Sequence, residues 1–130
     1  MPDDLLTATY GLEAEVHPAE LTRHARGFYY RDVVEGSGTE ALGGRTVHVS
    51  YVVRLADGRE VDRAEPEASL AFRVGDGSMI AALDAAVRGM RVGGTRQLVV
   101  PPRLGYGARG RGPVPPNAVL VMMVKLVRVE

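Results

Sequence analysis

One stretch of this chain carries helical periodicity, and that constrains the fold more than any other feature. Ile80, Leu83, Val87 and Met90 recur at spacings of three, four and three, which places them on one face of a helix. Ala81, Ala82, Ala85 and Ala86 add helix propensity, and the Ser78 hydroxyl stands where it can cap the first turn. The helix is expected over residues 79 to about 88, ended by Val92-Gly93-Gly94. A single helix has a single apolar stripe. The economical way to bury it is against the apolar face of one sheet.

The rest of the patterned sequence alternates with period two. Residues 28–35 are aromatic and β-branched, and they stop at Gly36-Ser37-Gly38. Val47, Val49, Tyr51, Val53 and Leu55 alternate with His48, Ser50, Val52 and Arg54. Asp57-Gly58 follows, a pair that favours a tight hairpin, so residues 59–63 read as the returning strand. Leu70-Ala71-Phe72-Arg73-Val74 alternates again, and residues 96–100 run into Pro101-Pro102. Stretch 103–117 is too rich in Gly and Pro for a regular element. Residues 119–129 are nearly continuous in apolar character, which suits a central strand. The expectation is an α+β fold: an antiparallel sheet of five or six strands half-wrapped around one short helix.

Length and composition narrow the function. A chain of 130 residues suits one domain. Residues 1–27 are polar and broken, and read as an arm or linker in which Pro18 opens one helical turn; residues 28–130 read as the domain. Sixteen basic residues balance sixteen acidic ones, so the basic excess of a dedicated nucleic-acid binder is missing. There is no Cys, which excludes disulfides and thiolate metal sites, and His17, His24 and His48 have no metal-ligand spacing. Phosphate-loop, dinucleotide, HExxH and calcium-loop motifs are all missing. No apolar run approaches the ~18 residues of a membrane span. With no Trp and two Phe, any pocket must be built mostly from Val, Leu, Ile, Met and Tyr.

Two loop motifs are specific in combination: Pro101-Pro102-Arg103-Leu104-Gly105-Tyr106-Gly107-Ala108-Arg109-Gly110 and Val114-Pro115-Pro116-Asn117-Ala118-Val119-Leu120-Val121. Together with Val49-Ser50-Tyr51, Leu55-Ala56-Asp57-Gly58, Val61-Asp62, Phe72-Arg73-Val74-Gly75 and residues 87–94, they resemble the FKBP family of peptidyl-prolyl cis–trans isomerases. The resemblance spans residues 28–130. It implies a pocket between sheet and helix that takes a proline ring, no metal and no cofactor. Its partners would be proline-containing peptides or folding proteins, with macrolide inhibitors as weak ligands.

Carried over position by position, the resemblance makes Tyr51, Asp62 and Tyr106 the polar working residues, Tyr106 holding a substrate carbonyl through its hydroxyl. Val61, Leu70, Phe72, Met79, Ile80, Leu83, Val114 and Met122 would line the pocket, and the Ile80 amide would donate to substrate. The departures are aliphatic. Leu83 stands where the family has a floor Trp, Val61 and Met122 where it has Phe, and Leu70 where it has an aromatic. The resemblance therefore implies modest isomerase activity, or alternatively a binding module for proline-containing or unfolded chains. The start of the chain is similar to segments that precede exported bacterial relatives, a slight lean towards export; oligomeric state is left open.

The residues alone leave other roles open. Asp62 could cap a turn or pair with Arg63, Tyr106 could anchor its loop, and Tyr51, Leu83 and Met122 could be plain core. Arg109 and Arg111 read as solvated, with steering of acidic partners as the lesser alternative.

Overall fold

The alternating runs become seven strands of one antiparallel sheet, described by a computed structural model over residues 5–6 and 10–130. In chain order they are β1 (Thr22–Arg23), β2 (Tyr29–Val34), β3 (Thr46–Leu55), β4 (Glu60–Ala64), β5 (Leu70–Arg73), β6 (Thr95–Val100) and β7 (Leu120–Val129), with helix α1 (Ala81–Val87) between β5 and β6. The sheet order is β1-β2-β6-β7-β3-β4, and β5 also pairs with β3. The nearly all-apolar β7 is central, flanked by β3 and β6. One edge of β3 is shared: β4 pairs with Tyr51 to Arg54 and β5 with Thr46 to Val49. The strand beyond the expected five or six is β1, two residues long and without alternation of its own.

Turn chemistry sets the β3–β4 register. Gly58 has φ +97°, which a residue with a Cβ adopts at a cost. The turn closes with Gly58 N–H donating to the Leu55 carbonyl and Leu55 N–H to that of Arg59. Three residues, Ala56 to Gly58, lie between the hydrogen-bonded Leu55 and Arg59, as in a turn followed by a glycine bulge.

The helix differs from expectation at its start. It begins at Ala81, not Met79, and Ile80 precedes it with no side-chain cap. The Ser78 hydroxyl donates to Asp76 at 2.6 Å, and Ser78 N–H to the same oxygen at 2.9 Å. This local turn competes with helix entry and wins. These bonds hold the Asp76 carboxyl below its usual range. Leu83 and Val87 are buried against the sheet, Ile80 is half-buried, and Met90 is buried beyond the helix end. They join Val49, Val53, Leu98, Leu120, Met122 and Leu126 in one core.

The first described residues lie against the other face. Pro18–Glu20 forms a single 3₁₀ turn with Pro at its start. Leu5, Tyr29 and Val99 are buried together, with Tyr10, Val16 and Leu21 packed around them. Fully buried Gln97 donates to the Ala14 and Glu15 carbonyls, each at 3.1 Å, and accepts from Arg31 at 2.6 Å. Among the described residues no helix is long and apolar enough to cross a membrane.

Candidate active site

Antiparallel register decides which side chains stand side by side. Leu98 is opposite Met122, Met122 opposite Val53, and Val53 opposite Asp62. The adjacent row places Tyr51 between Val124 and Ala64. Tyr51 and Asp62 are thus diagonal neighbours on one face. The Tyr51 hydroxyl donates to an Asp62 carboxylate oxygen at 3.4 Å. Burial, then the adjacent Asp62 charge, holds the Tyr51 phenol above its usual range. Asp62 also accepts the Arg63 N–H at 2.8 Å, while the Arg63 guanidinium turns away to Glu60 and Glu65.

Above this row opens a cavity of about 380 Å³, walled by Tyr51, Val61, Asp62, Leu70, Met79, Tyr106 and Val114. It continues into a deeper recess of about 110 Å³ that reaches Ile80, Leu83, Leu120 and Met122. The mouth falls within the ~300–1,000 Å³ typical of small-ligand pockets. Leu83 and Met122, both buried, close the bottom.

Two loops carry the upper wall. Tyr106 follows the 3₁₀ turn Pro102–Leu104, and the Gly107 N–H closes back on the Pro102 carbonyl at 2.8 Å. Further on, Arg111 and Val114 exchange backbone hydrogen bonds of 2.9 and 2.8 Å around Gly112-Pro113. Gly112 has φ +54° at the first central position, the demand of a II′ turn, and Pro suits the second. This turn seats Val114 in the wall and the Arg111 guanidinium 5.7 Å from the Tyr106 ring centroid. Among the described residues, neither the Tyr106 hydroxyl nor the Ile80 N–H has a hydrogen-bond partner in the protein.

All the expected site residues line this cavity except Phe72. Phe72 is buried in the core opposite Val47, two residues along β5 from Leu70. At ~3.4 Å per strand residue, that step carries it away from Tyr51 and Val53 and under the sheet. The cavity adds Val53, Ser78, Arg111, Gly112, Pro113 and Leu120 to the lining. Val53 and Leu120 carry the same alternation as the core, so period alone cannot single them out. The Gly112-Pro113 pair was the local signal for the turn that brings Arg111 in.

The lining holds no His, Lys or Cys, and the Ser78 hydroxyl is committed to Asp76. It offers an apolar recess, two phenols, one carboxylate, one guanidinium and one free amide. Such a site can enclose an apolar ring and hydrogen-bond a carbonyl; it has no activated nucleophile.

Comparison with known proteins agrees with this geometry. Residues 38–127 match the family described as FKBP-type peptidyl-prolyl cis-trans isomerase. The chain is 39% identical over 95 residues to the Arabidopsis thaliana peptidyl-prolyl cis-trans isomerase FKBP15-3, covering 72% of this chain and 66% of that protein. It is 34% identical over 113 residues to FK506-binding protein 4 of Neurospora crassa, covering 87% of this chain and 24% of that protein, so it spans about a quarter of that relative's length. The crystal structure of FkpA from Escherichia coli superposes with a TM-score of 0.76 at 34% identity, covering 85% of this chain and 52% of that one. With the pocket, the two loop motifs and these matches in agreement, the chain belongs to the FKBP-type peptidyl-prolyl cis–trans isomerase family.

Proposed function

We propose that residues 28–130 form a peptidyl-prolyl cis–trans isomerase domain acting on peptides and folding proteins, with residues 1–27 as an arm. The observation that carries this reading is the apolar recess over Leu83 and Met122, flanked by the unpartnered Tyr106 hydroxyl and Ile80 amide. Rotation about an X-Pro bond must pass a barrier of roughly 18–20 kcal/mol, set by amide resonance. The planar amide is the more polar state and the twisted one the less polar. An apolar recess therefore favours rotation. The Tyr106 O–H and Ile80 N–H donate to substrate carbonyls and orient them as the bond turns. Asp62, held by Tyr51 and the Arg63 amide, stands in the cavity wall beside them.

Aliphatic Leu83, Val61, Leu70 and Met122 offer less flat contact than rings and a softer wall. Activity is accordingly modest and macrolide binding weak. This softness also favours a second reading, in which the domain holds proline-containing or unfolded chains and turns them over slowly. A protease-coupled assay on an Ala-Leu-Pro-Phe peptide separates the two. Acceleration of the cis-to-trans phase supports the isomerase. No acceleration by folded protein that still binds the peptide leaves the binding module.

A further inference from the structure

Several arginines of the fold are spent on partners within it, and Arg111 is not. Arg63 is clamped by Glu60 and Glu65, Arg96 by Asp32 and the Ala86 carbonyl, and Arg54 by the Gly58 carbonyl. Arg111 lines the mouth of the proline pocket and makes no side-chain hydrogen bond or ion pair to any described residue. Its backbone is pinned by the reciprocal bonds to Val114, and its guanidinium rests against the face of Tyr106. The charge is therefore held at the pocket with its donors unspent.

Asp62 is the other charged group in the lining, and it already accepts from the Tyr51 hydroxyl and the Arg63 amide. A carboxylate entering beside proline thus meets a free guanidinium on the 106–114 side and a committed carboxylate on the other. Guanidinium and carboxylate match in planar, charge-assisted geometry.

Resting on the isomerase reading of this pocket, we propose that Arg111 is a specificity residue that selects segments with an acidic residue directly flanking the proline. An exposed ion pair of this kind is worth roughly a two- to fivefold preference. It weakens in salt, because the Debye length falls from about 10 Å at 0.1 M to 3 Å at 1 M.

The test uses the full chain and four peptides: Ala-Glu-Pro-Phe and Ala-Leu-Pro-Glu, each beside its Gln counterpart. Binding is read by NMR titration and turnover by cis–trans exchange spectroscopy. At low salt, at least one Glu peptide binds roughly two- to fivefold tighter than its Gln partner. That ratio falls to about one in Arg111→Gln and in high salt, and is kept in large part by Arg111→Lys. Arg109→Gln, changing an exposed residue outside the lining, leaves the ratio as in the parent. Equal binding of both Glu/Gln pairs, or an equal loss of the ratio in Arg109→Gln, overturns the proposal. Tighter binding of matched Lys peptides also overturns it, since Asp62 would then set the preference. Exchange that stays at the uncatalysed rate, with the Arg111-dependent ratio intact, refutes the isomerase reading and keeps this one.

Discussion

Replacing Leu83 with Trp tests the pocket floor directly. Leu83 is 3% exposed and faces, with Met122, a recess of about 110 Å³. An indole fills part of that recess and gives an incoming proline ring a broad flat face. Covering roughly half a methylene to two methylenes of the proline ring, at about 0.8 kcal/mol per buried CH₂, contributes about 0.4–1.5 kcal/mol. At about 1.4 kcal/mol per decade, that is roughly a two- to tenfold tighter Kd for a prolyl peptide. The opposing term is overpacking. Whatever indole volume the recess cannot take presses on the buried helix face, at a cost of about 1–3 kcal/mol. That cost appears in the melting curve and not in the affinity of the folded protein. For a chain of this size each kcal/mol lowers Tm by about 3–6 °C. The assay is a peptide titration with a thermal melt on each protein. An unchanged Tm with an unchanged Kd would show that Leu83 does not floor a working pocket. A raised Tm with weaker binding would show that the indole occupies the ligand's own space, which refutes the reasoning equally.

Tyr106→Phe removes a hydroxyl that bonds nothing else among the described residues, so kcat/KM should fall by the worth of one neutral hydrogen bond, about 0.5–1.5 kcal/mol, with Tm unchanged; an unchanged rate would remove Tyr106 from the mechanism. Gln97→Leu strands the buried Ala14 carbonyl, and at about 1–3 kcal/mol for a buried unsatisfied group the urea midpoint should drop clearly; no shift would mean that water already serves that carbonyl. Gly110→Ala puts a Cβ 2.3 Å from the Val114 carbonyl oxygen at φ +68°, so the 110–114 turn must move and peptide binding weaken, read by titration; unimpaired binding would show that the turn's position is not needed. Tyr51 keeps its proton to higher pH folded than unfolded, so its contribution to stability is full below about pH 10 and declines as pH rises past that. In a phenolate absorbance titration, Asp62→Asn should move its ionisation part of the way back, since burial remains; no movement would place the Asp62 charge too far away to matter.

The period-two runs at residues 47–55 and 119–129, the Asp57-Gly58 turn and the lone helical stripe of Ile80, Leu83, Val87 and Met90 were each legible in the sequence, because each depends on residues a few positions apart. From them follow an antiparallel sheet, one helix, and the face each buries. The paired loop motifs carried the resemblance that assembled the pocket residues. Tertiary structure decided what depends on partners distant in the chain. Two-residue β1 exists because β2 offers it an edge, and Ser78 turns to Asp76 when either cap was locally available. Phe72 and Leu70 share one alternation, yet only the pairing of β5 with β3 puts Leu70 at the cavity and Phe72 under the sheet. Arg109 and Arg111 look alike in a glycine-rich loop. Gly112-Pro113 signals a turn locally, but only the fold sets that turn beside Tyr106 at the pocket mouth, with Val114 buried in the wall. Local chemistry is written in neighbouring residues, whereas a site is a meeting of separate strands and loops, and register is what brings them together.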